Sequence, residues 1–180
     1  QTKLNEKVEK LLKTDFAVID KSQTREVIDA AAAVEDIAET FRVQIEQKGG
    51  KLAIEKTGLR FTVTGNPDLF YIALGNLVDN AVKYSGQPPE ILVKLISKDN
   101  RLLIEINDKG PGIAREFRDK VFEKYFRVPA GNTHNVDGFG LGLYQARGII
   151  AGMKGNIKIS NRKEGGLAVM IDLPLAPGNE

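Results

Sequence analysis

Apolar residues recur along this chain in two rhythms, one close to the helical repeat and one alternating with polar residues. Residues 30–47 set Val34, Ile37, Ala38, Phe41 and Ile45 on one face, which predicts an amphipathic helix ended by Gly49-Gly50. Residues 51–56 and 59–64 alternate and read as paired strands, with Thr57-Gly58 as the turn between them. Asn66-Pro67 opens a second helix, Asn66 as N-cap and Pro67 at the first helical position. It runs to Tyr84 and is stopped by Ser85-Gly86 and Pro88-Pro89. Residues 91–97 and 102–107 form a hairpin around Asp99-Asn100, and residues 157–160 and 167–173 a last hairpin around Gly165-Gly166.

The remaining segments are shorter or less regular. Residues 24–28 read as a short first strand, 108–112 as a glycine turn, 114–123 as a short helix and 141–153 as a helix. Residues 125–140 have no periodicity and exceed ordinary loop lengths, which marks a functional or disordered loop. Residues 1–13 carry Leu4, Val8, Leu11 and Leu12 at helical spacing, followed by a linker over 14–22. Helices alternating with strand pairs predict an α/β (α+β) two-layer sandwich, a mixed β-sheet with helices on one face. The expected division is a helix end plus linker at 1–22 and one domain at 23–180.

Composition narrows the class. The 26 basic and 24 acidic residues are interspersed, which argues against a nucleic-acid scaffold. With no cysteine there is no disulfide, redox thiol or thiolate zinc site. No apolar run is long enough to span a bilayer. The chain opens on Gln1 and reads as a fragment of something longer, whose membrane anchor is left open.

Three segments carry candidate chemistry. Asn76, Asn80 and Lys83 share one helix face, opposite Leu74, Leu77, Val78 and Ala81. Two amides and a lysine suit hydrated Mg²⁺ and a polyphosphate; read alone, the face is more often simply solvated. Asp108 follows a strand and precedes Gly110 and Gly112, an acceptor beside backbone that admits a flat ring. Alone, that is an ordinary Asp-Gly turn. Gly138, Gly140, Leu141 and Gly142 lead into a helix start, where backbone N–H groups face an anion. Alone, a flexible glycine hinge explains them equally well.

Taken together, residues 76–84, 108–112, 122–127 and 138–142 resemble, in order, the N, G1, F and G2 boxes of one superfamily. It is the ATP-binding (Bergerat) fold of sensor histidine kinases, gyrase-type ATPases, Hsp90 and MutL. The resemblance covers residues 23–175 and implies ATP and Mg²⁺. It implies Asn80 as Mg²⁺ ligand supported by Asn76, Lys83 and Arg127 on phosphate oxygens, and Tyr84 against the adenine or ribose. Asp108 would accept from the adenine amine, with Gly110 and Gly112 shaping the base pocket. Gly138, Gly140, Leu141 and Gly142 would wrap the phosphates, and 125–140 would be the lid. Phe139 departs from the usual Thr or Ser.

In the hydrolytic branches a glutamate stands where this chain has Asn76, and an amide cannot act as a general base. The resemblance therefore implies a protein-histidine kinase, with Asn76, Lys83 and Arg127 as catalytic residues. The acceptor histidine would sit on a helical dimerisation domain outside this chain, 1–13 being the end of its second helix. Implied partners are that domain, a response-regulator receiver domain and a second copy of the parent protein, with no nucleic acid. The expected location is cytoplasmic, with the parent anchored in the cell membrane. His134 lacks a phosphoacceptor's helical context and reads as an exposed loop residue. Rival readings are an anti-sigma-type serine kinase, a degenerate binding domain and a hydrolytic ATPase.

Overall fold

The computed structural model describes residues 25–129 and 140–178. The expected helix at 1–13, the linker at 14–22 and His134, Gly138 and Phe139 lie outside the described residues. The elements run β1 (Glu26–Asp29), α1 (Ala30–Gln47), β2 (Lys51–Thr57), β3 (Thr62–Gly65), α2 (Pro67–Tyr84), β4 (Glu90–Lys98) and β5 (Arg101–Asn107). Two 3₁₀ turns (Arg115–Phe117, Lys120–Phe122), α3 (Gly142–Gly152), β6 (Asn156–Asn161) and β7 (Leu167–Pro174) follow.

Local chemistry sets the helix ends. Asp29 caps α1, its side chain accepting from Ala32 N–H at 3.1 Å. At the other end Gly49 takes a φ of 71° and Gly50 N–H donates to Ile45 O at 2.9 Å, which closes the helix. Asn66 caps α2 by accepting from Leu69 N–H at 2.9 Å, with Pro67 at the start as expected. Tyr71 of α2 donates to Asp36 of α1 at 2.6 Å and ties the two helices.

Five strands pair in the order β2–β4–β5–β7–β6; only β2–β4 is parallel. Register carries the core across the sheet. Leu95 faces Ile104, Ile104 faces Ile171 and Ile171 faces Ile157, all four buried. Each fully buried Leu or Ile contributes roughly 1.5–3 kcal/mol. The neighbouring row is mostly charged and not buried: Lys94 faces Glu105, which faces Met170, which faces Lys158. Only one face is therefore apolar, and α1, α2 and α3 cover it. The Asp99-Asn100 turn has φ of 50° and 59°, the twist a two-residue hairpin needs. Among the described residues no helix is long and apolar enough to cross a membrane.

Two expectations are corrected. β2 and β3 are not partners: β2 joins β4, while β3 joins β1 in a separate two-stranded sheet. Lys51 N–H donates to Pro89 O at 2.9 Å, so the chain leaving α1 docks beside the start of β4. The following segment crosses to the start of α1, where Ala30 N–H donates to Phe61 O at 2.8 Å. The helix expected at 114–123 is instead the two 3₁₀ turns. About ten residues hold a regular helix poorly without packing, and both flanks are tied elsewhere, Ile113 to Asn161 and Tyr125 to Gly140. Short 3₁₀ turns bury Val121 and Phe122 within those limits.

Candidate functional site

Helix α2 is the spine of the site. Its apolar face, Leu74, Leu77, Val78 and Ala81, is buried and fixes the rotation of the helix. Asn76 and Asn80 are thereby turned to the side where α3 begins. A Cβ on Gly142 would stand 3.6 Å from Asn76 Cβ and 3.9 Å from Asn80 Nδ2, so the first turn of α3 lies against both amides. Asn76 Nδ2 donates to Gly142 O at 3.4 Å and to Gln145 Oε1 at 3.3 Å, both long bonds.

The start of α3 carries no side-chain cap: Leu141 stands at the N-cap position without a capping hydrogen bond. Its first N–H groups and the positive end of the helix dipole therefore face outward beside Asn76 and Asn80. Gly140 is needed just before it. Its φ is 69°, and a Cβ there would stand 2.8 Å from Phe126 O. Tyr125 N–H donates to Gly140 O at 2.9 Å. Lys124 lies over the rings of Tyr125 and Tyr144, and Arg147 over Phe122 at 5.1 Å. The 122–126 segment is thus strapped to α3, and Arg127 follows the strap, exposed.

Asp108 lies beyond the C-terminal end of the spine. Its residue is only 4% exposed, and burial pushes the carboxyl above the usual carboxylate range, against the opposing pull of Gly110 and Leu167 N–H groups and of Arg162. Gly110 and Leu167 N–H groups donate to Oδ1 at 2.8 and 3.0 Å. Both bonds use the same oxygen, which leaves Oδ2 as the carboxylate's remaining acceptor. A Cβ on Gly110 would stand 1.9 Å from Tyr84 O, so only glycine lets this turn touch the end of α2. Buried Ser85 locks the corner, its Oγ accepting from Glu90 N–H at 3.1 Å and from Lys109 N–H at 3.4 Å. Gly112, at φ 73°, abuts Asn161, whose Oδ1 accepts from Ile113 N–H at 2.9 Å.

The structure brings the expected residues to one helix: Asn76 and Asn80 on its C-terminal half with Gly140, Leu141 and Gly142 beside them, and Tyr84 at its C-terminal end with Asp108 and Gly110. Lys83 lies between and is paired with Asp79 at 2.6 Å, one turn back. Tyr84 is 47% exposed. Gly138 lies outside the described residues. Sequence reasoning missed Asp79, Ser85, Gln145 and Asn161. The spacing of Asp79 and Lys83 was a usable signal. Ser85 reads as a helix stop, and nothing local marks Gln145 or Asn161 as neighbours of the site.

Comparison with known proteins assigns the class. The family described as histidine kinase-, DNA gyrase B- and HSP90-like ATPase matches residues 65–177, and the chain belongs to it. Within that family the chain is the ATP-binding catalytic domain of the sensor histidine kinase branch, as its relatives indicate. The sensor protein RprX of Bacteroides fragilis (strain YCH46) is 33% identical over 96% of this chain and 34% of its own length. The sensor histidine kinase CpxA of Escherichia coli (strain K12) is 29% identical over 89% of this chain and 36% of its own. The solved mycobacterial sensor histidine kinase MprB superposes with a TM-score of 0.74 at 26% identity, covering 86% of this chain and all of that one. The chain spans about a third of the length of the curated relatives it matches.

Proposed function

We propose that this domain binds Mg-ATP along α2 and presents the γ-phosphate to a histidine on a helical dimerisation domain of the same parent protein. The observation that carries the reading is the convergence on one helix of two amides beside an uncapped helix start and a buried carboxylate beside a glycine turn. Asp108 Oδ2 recognises the exocyclic amine of adenine, with Tyr84, Gly110 and Gly112 around the base. The N–H groups at Gly140, Leu141 and Gly142, with Gly138, hold the phosphates. Lys83 reaches phosphate oxygens by exchanging its Asp79 partner, and Arg127 approaches the γ-phosphate from the strap.

The donor set fits magnesium. Among the described residues no three His, Cys, Asp or Glu are grouped to hold a metal. The donors at hand are asparagine oxygens next to a phosphate site, which suits an ion that keeps several waters. Asn80 would hold it, with Asn76 alongside; when bound, it neutralises charge on the phosphates. Asn76 cannot deprotonate water, and its amide is turned toward α3. Transfer to an outside nucleophile is therefore favoured over hydrolysis.

The parent protein is proposed to be a homodimer anchored in the cell membrane, with this domain cytoplasmic and residues 1–22 leading in from the helical domain. A receiver domain of a response regulator is the proposed downstream partner. In support, the sensor kinase ShkA was solved with AMPPNP and ThkA with the response regulator TrrA, at 22% and 19% identity to this chain. The test is labelled ATP given to this chain alone and with the helical domain supplied in trans. Label on the helical domain only is expected; strong labelling of this chain alone overturns the reading.

A further inference from the structure

The turn between β6 and β7 lies outside the four sequence boxes, yet it grips the Asp108 turn from behind. Arg162 Nη1 donates to Asp108 O at 2.8 Å. Asp108 N–H donates to Leu167 O at 3.0 Å. A Cβ on Gly166 would stand 2.0 Å from Asp108 O, and Gly166 has a φ of 97°, so the approach needs glycine. Arg162 is itself anchored. Its backbone N–H donates to Gly166 O at 2.9 Å, and Glu164 lies 3.8 Å from its guanidinium. The side chain is only 22% exposed and lines a concavity of about 310 Å³ on the polar face of the sheet, with Glu105 and Asn107.

These contacts act on the residue that faces the base. A carboxylate selects a donor only if its oxygens are aimed, and aim depends on the backbone that carries them. Leu167 and Gly110 hold Oδ1, and Arg162 holds the carbonyl of the same residue. A charge-assisted bond to that carbonyl is stronger than a neutral one. It also favours the ionised carboxyl, opposing the burial that pushes the group up.

We propose that Arg162 is a positioning residue for base selection, acting through Asp108 to fix the preference of the site for a purine bearing an exocyclic amine. The inference rests on the nucleotide-binding reading above and adds to it a residue outside the four boxes. Arg162 touches no nucleotide; its effect is confined to the contact that Asp108 makes.

The experiment measures binding of two ligands to the whole chain with Mg²⁺: ATP, and the triphosphate of purine riboside, which lacks the 6-amino group. Arg162→Ala is expected to weaken ATP by about 10-fold, the worth of one good hydrogen bond, and to leave the purine riboside triphosphate unchanged. Arg162→Lys, which keeps charge and donor, is expected to recover most of the preference for ATP. Equal weakening of both ligands in Arg162→Ala, or no change in either, overturns the inference. A wild-type chain that takes up neither ligand overturns the nucleotide-binding reading, and this inference with it.

Discussion

Asn76 donates its side-chain amide to Gln145 Oε1 at 3.3 Å, across the boundary between α2 and α3. Gln145 is only 7% exposed, so its amide has few other partners to turn to. The pair joins the helix bearing the two amides proposed for the metal to the helix whose start is proposed to hold the phosphates. It also orients Asn76, sending the nitrogen to α3 and leaving the oxygen for the pocket.

That pairing predicts a measurable coupling. Removing Asn76 leaves the buried Gln145 amide oxygen without this donor, whereas removing Gln145 leaves half-buried Asn76 its bond to Gly142 O; an unsatisfied buried acceptor costs about 1–3 kcal/mol. In a double-mutant cycle on Asn76→Ala and Gln145→Ala, the double variant should lose less stability than the sum of the singles, by roughly 0.5–1.5 kcal/mol. Denaturant unfolding reads this directly, and strict additivity counts against the contact.

Asp108 predicts a conflict between stability and binding. Burial raises its pKa in the folded state, so the folded protein holds this proton more tightly than the unfolded chain does. The stabilising contribution of the group is complete below the ordinary carboxylate pKa and is lost as pH rises through the raised value. Asp108→Asn keeps an Oδ1 acceptor for Gly110 and Leu167 while removing the ionisation. Its melting temperature should exceed that of wild type at about pH 8, with the gain shrinking as pH falls toward the ordinary carboxylate range and Asp108 takes up its proton. ATP affinity should fall more than about tenfold. A variant that melts lower than wild type at the higher pH contradicts the account.

Two glycines should respond in opposite ways. Gly110→Ala puts a methyl 1.9 Å from Tyr84 O, so the turn must move. Nucleotide binding should be lost. Gly75 lies inside α2, where a Cβ meets only Ile37 Cδ1 at an ordinary 3.8 Å. Gly75→Ala should therefore raise stability by about 0.5–1 kcal/mol through helix propensity and leave ATP affinity unchanged. Thermal melts and calorimetry on the two variants check both statements.

What was legible in the sequence was local. Asn66-Pro67, Gly49-Gly50, Asp99-Asn100 and Gly165-Gly166 each mark a boundary through their own backbone chemistry, and each boundary is found there. The partner of β2 was not legible: alternation gives a strand its faces but does not name the neighbour. The same limit applies at the site. Asn80, Asp108 and Gly142 stand in recognisable short runs, whereas Ser85, Gln145 and Arg162 matter through residues 5, 69 and 54 positions away. Such contacts exist only once the helices and hairpins have packed.

The central claim is that one nucleotide lies along the C-terminal half of α2, from Asn76 and Asn80 to the Asp108 turn. Amide NMR during titration with Mg-AMPPNP tests it most directly. The account predicts that Asn80, Gly110 and Gly142 shift together in one saturable transition, and that withholding Mg²⁺ weakens it. Shifts at Asn80 and Gly142 alone or at Gly110 alone, or separate transitions for the two, would contradict the account.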